Sequence, residues 1–268
     1  MEHYLWLIPL GFAVGAYGTF IGAGGGFVLM PILLLVYPGE PSNALAAVSL
    51  AVVFFNAASG SIAYGRMRRI DYKSGALLSL AALPGAVLGA MTTGYIPRQA
   101  FDAVLGILMI GVSGILLWQP TPRVVGIPHT AEAPRNGTDR LGTYNLPLGL
   151  VLSFFVGYLS SLLGIGGGIV HVPALVGLLH FPVHVATATS HFILAFMSLA
   201  GTAVHLAQGT LQPGLPQTAA LAIGVVIGAQ AGAWLSGRTQ GPWIIRGLAL
   251  ALGFVGIRVL ILAFQATR

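Results

Sequence analysis

The sequence predicts an all-α polytopic membrane protein of two homologous halves, each a broken-helix hairpin followed by three transmembrane helices. Three observations point there. Of the 268 residues, 56% are hydrophobic and 7% charged, whereas a soluble domain carries about 25% charged residues. The mean hydropathy is +0.88, and the apolar residues form long continuous runs, unlike the ~10-residue alternating segments of a membrane barrel. A glycine-rich element also occurs twice, at matching places in the chain.

The first run, Tyr4–Tyr37, has 34 residues, long for one span of ~20 residues and short for two. Near its middle lies IGAGGGFVLMP, Ile21–Pro31, with Gly22, Gly24, Gly25, Gly26 and Pro31. The run Leu146–His180 carries LGIGGGIVHVP, Leu163–Pro173, with Gly164, Gly166, Gly167, Gly168 and Pro173 at the same spacing. Glycine costs about 1 kcal/mol in a helix interior and proline about 3. Glycines and proline together are therefore expected to break the helix, turning each run into a hairpin. In lipid, such a break survives only where protein or a water-filled cavity covers the freed backbone groups. A break duplicated in both halves is a sequence pointer to a binding site.

The remaining runs are Ala44–Tyr64, Ser74–Ile96 and Phe101–Trp118 in the first half, and Val183–Ala207, Leu215–Ser236 and Ile244–Phe264 in the second. Between the halves, Gln119–Asn145 is polar and Pro-bearing, which gives repeats over 1–118 and 146–268 joined by a linker over 119–145. PGAVLGAMTTG (Pro84–Gly94) aligns with IGAQAGAWLSG (Ile227–Gly237), and AAVSL (Ala46–Leu50) with TATSH (Thr187–His191), pairing Ser49 with Ser190 and Gly60 with Gly201. The offset stays between 141 and 143, as duplicated halves require. Glycines four apart, at 85/89 and 228/232, are the small-xxx-small pattern of close helix packing. The N-terminal stretch lacks a positive leader region and is read as a retained membrane segment.

Loop charges address the orientation of the halves. Arg66, Arg68, Arg69 and Lys73 follow the second run, whereas the equivalent loop, Leu206–Gly214, carries no Lys, Arg, Asp or Glu. The later loop reverses this, with Arg238 and Arg246 against Arg98 before Asp102. Under the positive-inside rule this reciprocal shift, with a hairpin that returns to its own face, favours inverted over parallel repeats.

Several classes are excluded. The chain has no cysteine, hence no disulfide, thiolate metal site or thiol relay. The net charge of +6 comes largely from a loop that the positive-inside rule explains, so no nucleic-acid partner is expected. Neither glycine cluster fits a dinucleotide fingerprint, because Phe27 and Ile169 stand where its last glycine belongs, and no G-K-[ST] follows. No cofactor and no metal site is expected.

The candidate site lies where the breaks fall. Consecutive glycines bare their amides, which form anion-binding nests, and a helix starting just after the break adds about half a positive charge. Glu2, Glu40, Asp71, Asp102, Glu132 and Asp139 all sit at run boundaries or in the linker, so no carboxylate opposes an anion there. Ser49, Asn56, Thr187, Thr189 and Ser190 offer hydroxyl and amide groups; interhelical hydrogen bonding is their plain alternative role. His171, His191 and His205 are ionisable histidines inside spans, either proton carriers or neutral packing residues. A rival reading is an intramembrane serine hydrolase with Ser59 as nucleophile and His191 or His205 as base, although a single dyad needs no duplicated half.

The paired G-x-GGG-x4-P elements, each followed by a run with a serine near its start (Ser49, Ser190), resemble the TauE/SafE family of sulfite and organosulfonate exporters. The resemblance spans Leu10 to about Phe264. It implies a permease in the bacterial inner membrane that moves sulfite, sulfoacetate or related anions, with hairpins meeting mid-membrane. The implied partners are a small anionic substrate and the lipid bilayer, with room for a homodimer. The halves differ chemically: Met197 and Ser198 stand opposite Asn56 and Ala57, His171 opposite Leu29, and His191 opposite Leu50.

Overall fold

The computed structural model describes residues 4–118, 144–236 and 242–265. The linker over 119–143, Glu2, Gly237 and Arg238 lie outside the described residues. Among those described, all regular structure is helical: α1 (Leu7–Ile21), α2 (Gly26–Val36), α3 (Ser42–Arg66), α4 (Tyr72–Thr93), α5 (Arg98–Trp118), α6 (Leu146–Leu163), α7 (Gly168–Gly177), α8 (Val183–Ala207), α9 (Leu215–Ser236) and α10 (Pro242–Gln265). Six helices among the described residues are long and apolar enough to cross a membrane, while α1, α2 and α7 are shorter apolar helices.

Local chemistry sets the ends. The Asp71 carboxylate caps α4 by accepting from the Ser74 N–H at 3.2 Å, and Asn145 caps α6 by accepting from the Leu148 N–H at 3.2 Å. Helices α1 and α6 stop at Gly22 (φ +87°) and Gly164 (φ +67°), a left-handed conformation that costs other residues about 1–2 kcal/mol. The chain then turns back. A Cβ placed on Gly25 would lie 2.8 Å from the Val14 carbonyl oxygen, and one on Gly167 would lie 2.7 Å from Val156. In a straight helix, residues eleven apart would stand about 16 Å from each other. Each break therefore folds its short second helix toward the helix just left, with Tyr17 and Phe27 rings 6.5 Å apart in the first hairpin.

The prolines do not act as expected. Pro31 lies inside α2 and Pro173 inside α7. Each forfeits one backbone bond, but the left-handed glycines have already ended the preceding helix, so the proline shapes the new helix without terminating it.

Two compact units form, and they cut across the sequence halves. The first holds α1–α4 and α6–α9. Within it α1 packs on α9 and α6 on α4, α3 on α8, and α4 on α8 as α3 on α9. This set of pairings is unchanged when the halves are exchanged, so each hairpin is held by a helix of the other half. Small residues make the seams. Gly85 and Gly89 of α4 meet the backbone of Phe154 and Tyr158, and Gly228 and Gly232 of α9 meet the backbone of Phe12 and Ala16, contacts that a side chain would fill. Leu80, Phe155 and Ile227 are exposed on its surface, where lipid hydrocarbon is the solvent. The second unit pairs α5 with α10; Ser113 Oγ donates to the Ala249 carbonyl at 2.6 Å, and Arg98 pairs with Asp102 at 3.0 Å.

Candidate functional site

The two breaks meet in the first unit. Gly26, which opens α2, abuts the Ile165 carbonyl in the second break, and Gly168, which opens α7, abuts Gly22 and Ala23 in the first. Gly24 and Gly166 both lie against Val53 of α3 and Leu194 of α8. Gly22, Gly24, Gly25, Gly164 and Gly166 are left-handed, but Gly167 has φ −67°, so the second break enters its helix by a different route.

Both short helices begin at this meeting point. The first bonds of α2 run from the Val28 and Leu29 amides to the Gly25 carbonyl, and those of α7 from Val170 and His171 to Gly167. The amides of Gly26, Phe27, Gly168 and Ile169 precede them and have no intrahelical acceptor. Each end adds about half a positive charge.

Hydroxyl groups cross between the halves. Ser49 Oγ donates to the Gly164 carbonyl, and Ser190 Oγ donates to the Gly22 carbonyl at 3.4 Å. Thr187 covers Gly22 as Ala46 covers Gly164. Thr189 is drawn elsewhere, accepting from the Asp71 N–H at 3.0 Å.

The polar cluster on one side of the centre is not repeated on the other. Thr19 Oγ1 donates to Asn56 Oδ1 at 3.0 Å and lies 3.2 Å from His191 Nε2. The Tyr64 hydroxyl donates to the Thr19 carbonyl at 2.6 Å, and its ring meets the His191 ring edge-on at 5.6 Å. Thr19, Asn56, Tyr64 and His191 are all buried. Gly60 lets the imidazole approach, since a Cβ there would lie 2.6 Å from its Cδ2. At the equivalent positions stand Ser161, Met197 and His205 of the second half and Leu50 of the first, with Ser161 and Leu50 both beside Gly201.

The other histidines are placed apart from this cluster. His171 Nε2 lies 3.1 Å from Ser153 Oγ, inside the second hairpin. His205 Nδ1 lies 3.0 Å from Thr210 Oγ1, at the end of α8. Ser59 Oγ donates to the Val226 carbonyl at 2.8 Å and accepts from Gln230, with neither His191 nor His205 as its partner. The geometry gives the serine-hydrolase reading no dyad. Among the described residues, no three metal-ligating side chains converge.

Sequence reasoning missed Thr19, Tyr64, Ser153 and Ser161. One signal was available for two of them: Thr19 and Ser161 each stand three residues before the first glycine of a break.

Comparisons with known proteins agree along nearly the whole chain. The family profile described as sulfite exporter TauE/SafE matches residues 7–259. The "Probable membrane transporter protein YunE" of Bacillus subtilis is 30% identical over 268 aligned positions, covering 96% of this chain and 97% of that protein. The "Probable membrane transporter protein MJ0441" of Methanocaldococcus jannaschii is 29% identical over 77% of this chain and 75% of its own length. A "Probable membrane transporter protein" of Haemophilus influenzae is 26% identical over 93% of this chain and 92% of its own length. No solved structure is a significant match.

Proposed function

Because this chain belongs to the TauE/SafE sulfite exporter family and is a multi-pass membrane transporter, not an enzyme, we propose that it carries sulfur-containing anions as a secondary transporter. Sulfite, sulfoacetate and other organosulfonates are the substrates, and the glycine breaks of both halves hold them at mid-membrane. One observation carries this reading: α2 and α7 begin where the two breaks touch. Their free amides and helix dipoles make that point positive without a lysine or arginine. None of the helices α1–α4 or α6–α9 contains an Asp or Glu, so no carboxylate within them opposes an anion.

The halves are inverted repeats in this reading. A hairpin that returns to its own face leaves three full crossings per half, an odd number that turns the second half over. The protein resides in the bacterial inner membrane, and Ser49, Ser190, Thr187, Asn56, His191 and His171 line or support the path.

The test is uptake of labelled sulfite, sulfoacetate and taurine by proteoliposomes holding the purified chain, with and without a proton gradient. Flux of at least one of these above empty vesicles is expected. No flux of any of them, in either direction, would sink the substrate reading.

A further inference from the structure

The polar cluster on one side of the centre has a proton pattern that its hydrogen bonds fix. Thr19 has a single hydroxyl proton, and Asn56 Oδ1, an acceptor, takes it. Thr19 Oγ1 can then meet His191 Nε2 only as an acceptor, so Nε2 carries the ring proton. Nδ1 is left as a bare lone pair, and it has no hydrogen-bond partner. Asn56 Nδ2, a donor, has none either. His191 is 0% exposed and Asn56 1%, so bulk solvent does not reach them. A buried acceptor and a buried donor, both hung from Thr19, thus stand unmatched. The imidazole also hydrogen-bonds the Gly22 backbone of the first break, which ties the cluster to the point where the breaks meet.

We propose that Thr19, Asn56 and His191 form a proton-reading subsite, in which His191 Nδ1 accepts from a hydroxyl of the transported oxyanion while Asn56 Nδ2 donates to one of its bare oxygens. The inference rests on the anion-transport reading and narrows it. An oxyanion that keeps a titratable hydroxyl, such as hydrogen sulfite, satisfies both atoms. An organosulfonate has no hydroxyl on sulfur and would face the Nδ1 lone pair with another lone pair, an unsatisfied contact that makes it the poorer substrate. The second half cannot repeat the pair, because Leu50 and Met197 occupy the equivalent positions.

Tyr64 of α3 is the titratable side chain in contact with the ring. Around it, Tyr17 of α1 faces Phe27 and His171 of α7 faces Ser153. Asp71 at the start of α4 meets α8 through its backbone N–H to Thr189, and Lys73 of α4 is exposed. α9 carries no ionisable side chain.

The experiment compares labelled sulfite with labelled sulfoacetate in proteoliposomes of the full chain, on both sides of the pH at which hydrogen sulfite loses its proton. His191→Gln keeps an N–H for Thr19 and removes the Nδ1 acceptor. The wild type should prefer sulfite, and the preference should fall as pH rises and the hydroxyl is lost. In His191→Gln the sulfite-to-sulfoacetate ratio should drop roughly tenfold and lose its pH dependence. Thr19→Val frees the tautomer and should blunt the ratio, whereas Thr19→Ser should keep it; this pair decides the matter if His191→Gln does not insert. A ratio that is flat with pH in the wild type, or unchanged in His191→Gln and Thr19→Val, overturns the subsite while leaving the transporter reading intact. Absence of any anion flux in the wild type would instead defeat the transporter reading itself.

Discussion

The Ser49 hydroxyl on α3 donates to the carbonyl oxygen of Gly164, 115 residues later in the other half. Ser190 on α8 returns the bond to Gly22 at 3.4 Å. Each break is thus tied to the other half's first full span. Interhelical hydrogen bonds in membranes average about 0.6 kcal/mol and reach about 1.7. Ser49→Ala should therefore lower the thermal unfolding midpoint in detergent by a few degrees, at roughly 2–4 °C per kcal/mol. Ser190→Ala should cost less, because its bond is longer. A larger loss at Ser190 than at Ser49 would contradict this assignment.

The third glycine position separates the two breaks. Gly25 is left-handed at φ +75° and sits against the Val14 backbone, whereas Gly167 has φ −67° and faces the side-chain ends of Met197 and Val156. Gly25→Ala adds about 1–2 kcal/mol of backbone strain to a clash that cannot move aside. Gly167→Ala meets atoms that can. Thermal stability and flux should both fall more for Gly25→Ala, and equal losses would mean that the two breaks share one geometry.

The crossed seams should be equally intolerant of bulk. Gly89 rests on the Tyr158 backbone and Gly232 on the Ala16 backbone, so Gly89→Leu and Gly232→Leu must each push two helices apart. Either change should abolish the monodisperse peak in size-exclusion chromatography. Normal yield and elution of both variants would refute the swapped packing of α1 on α9 and α6 on α4.

Much of this was readable from residue order, because its causes are local. Apolar run lengths gave the helices, and a glycine triplet without side chains gave the breaks. Pro31 misled, since proline cost argues for termination while the left-handed Gly22 had already ended the helix upstream. The exchange of partners between halves left little local trace: the α4 and α9 glycines announced close packing but not which helix they meet. Nor could the sequence show that Thr19 would sit between Asn56 and His191, which lie 37 and 172 residues away. His171 and His191 looked alike as buried histidines, and only the fold assigns one to Ser153 and the other to Thr19.

Inversion of the repeats has its own test, made easy by a chain without cysteine. Arg66 and Gln208 are exposed at the ends of α3 and α8, equivalent places in the two halves. A membrane-impermeant maleimide should label Arg66→Cys and Gln208→Cys from opposite sides of the membrane. Labelling from the same side would establish parallel repeats.

Flux through the paired glycine variants tests the account most directly. Gly25→Val and Gly167→Val would be reconstituted beside the wild type at matched protein, and uptake of labelled sulfite and sulfoacetate measured. The account expects both variants to insert and to lose transport by roughly tenfold or more, about 1.4 kcal/mol. Wild-type flux through both would show that the meeting point of the two breaks is not where the anion passes.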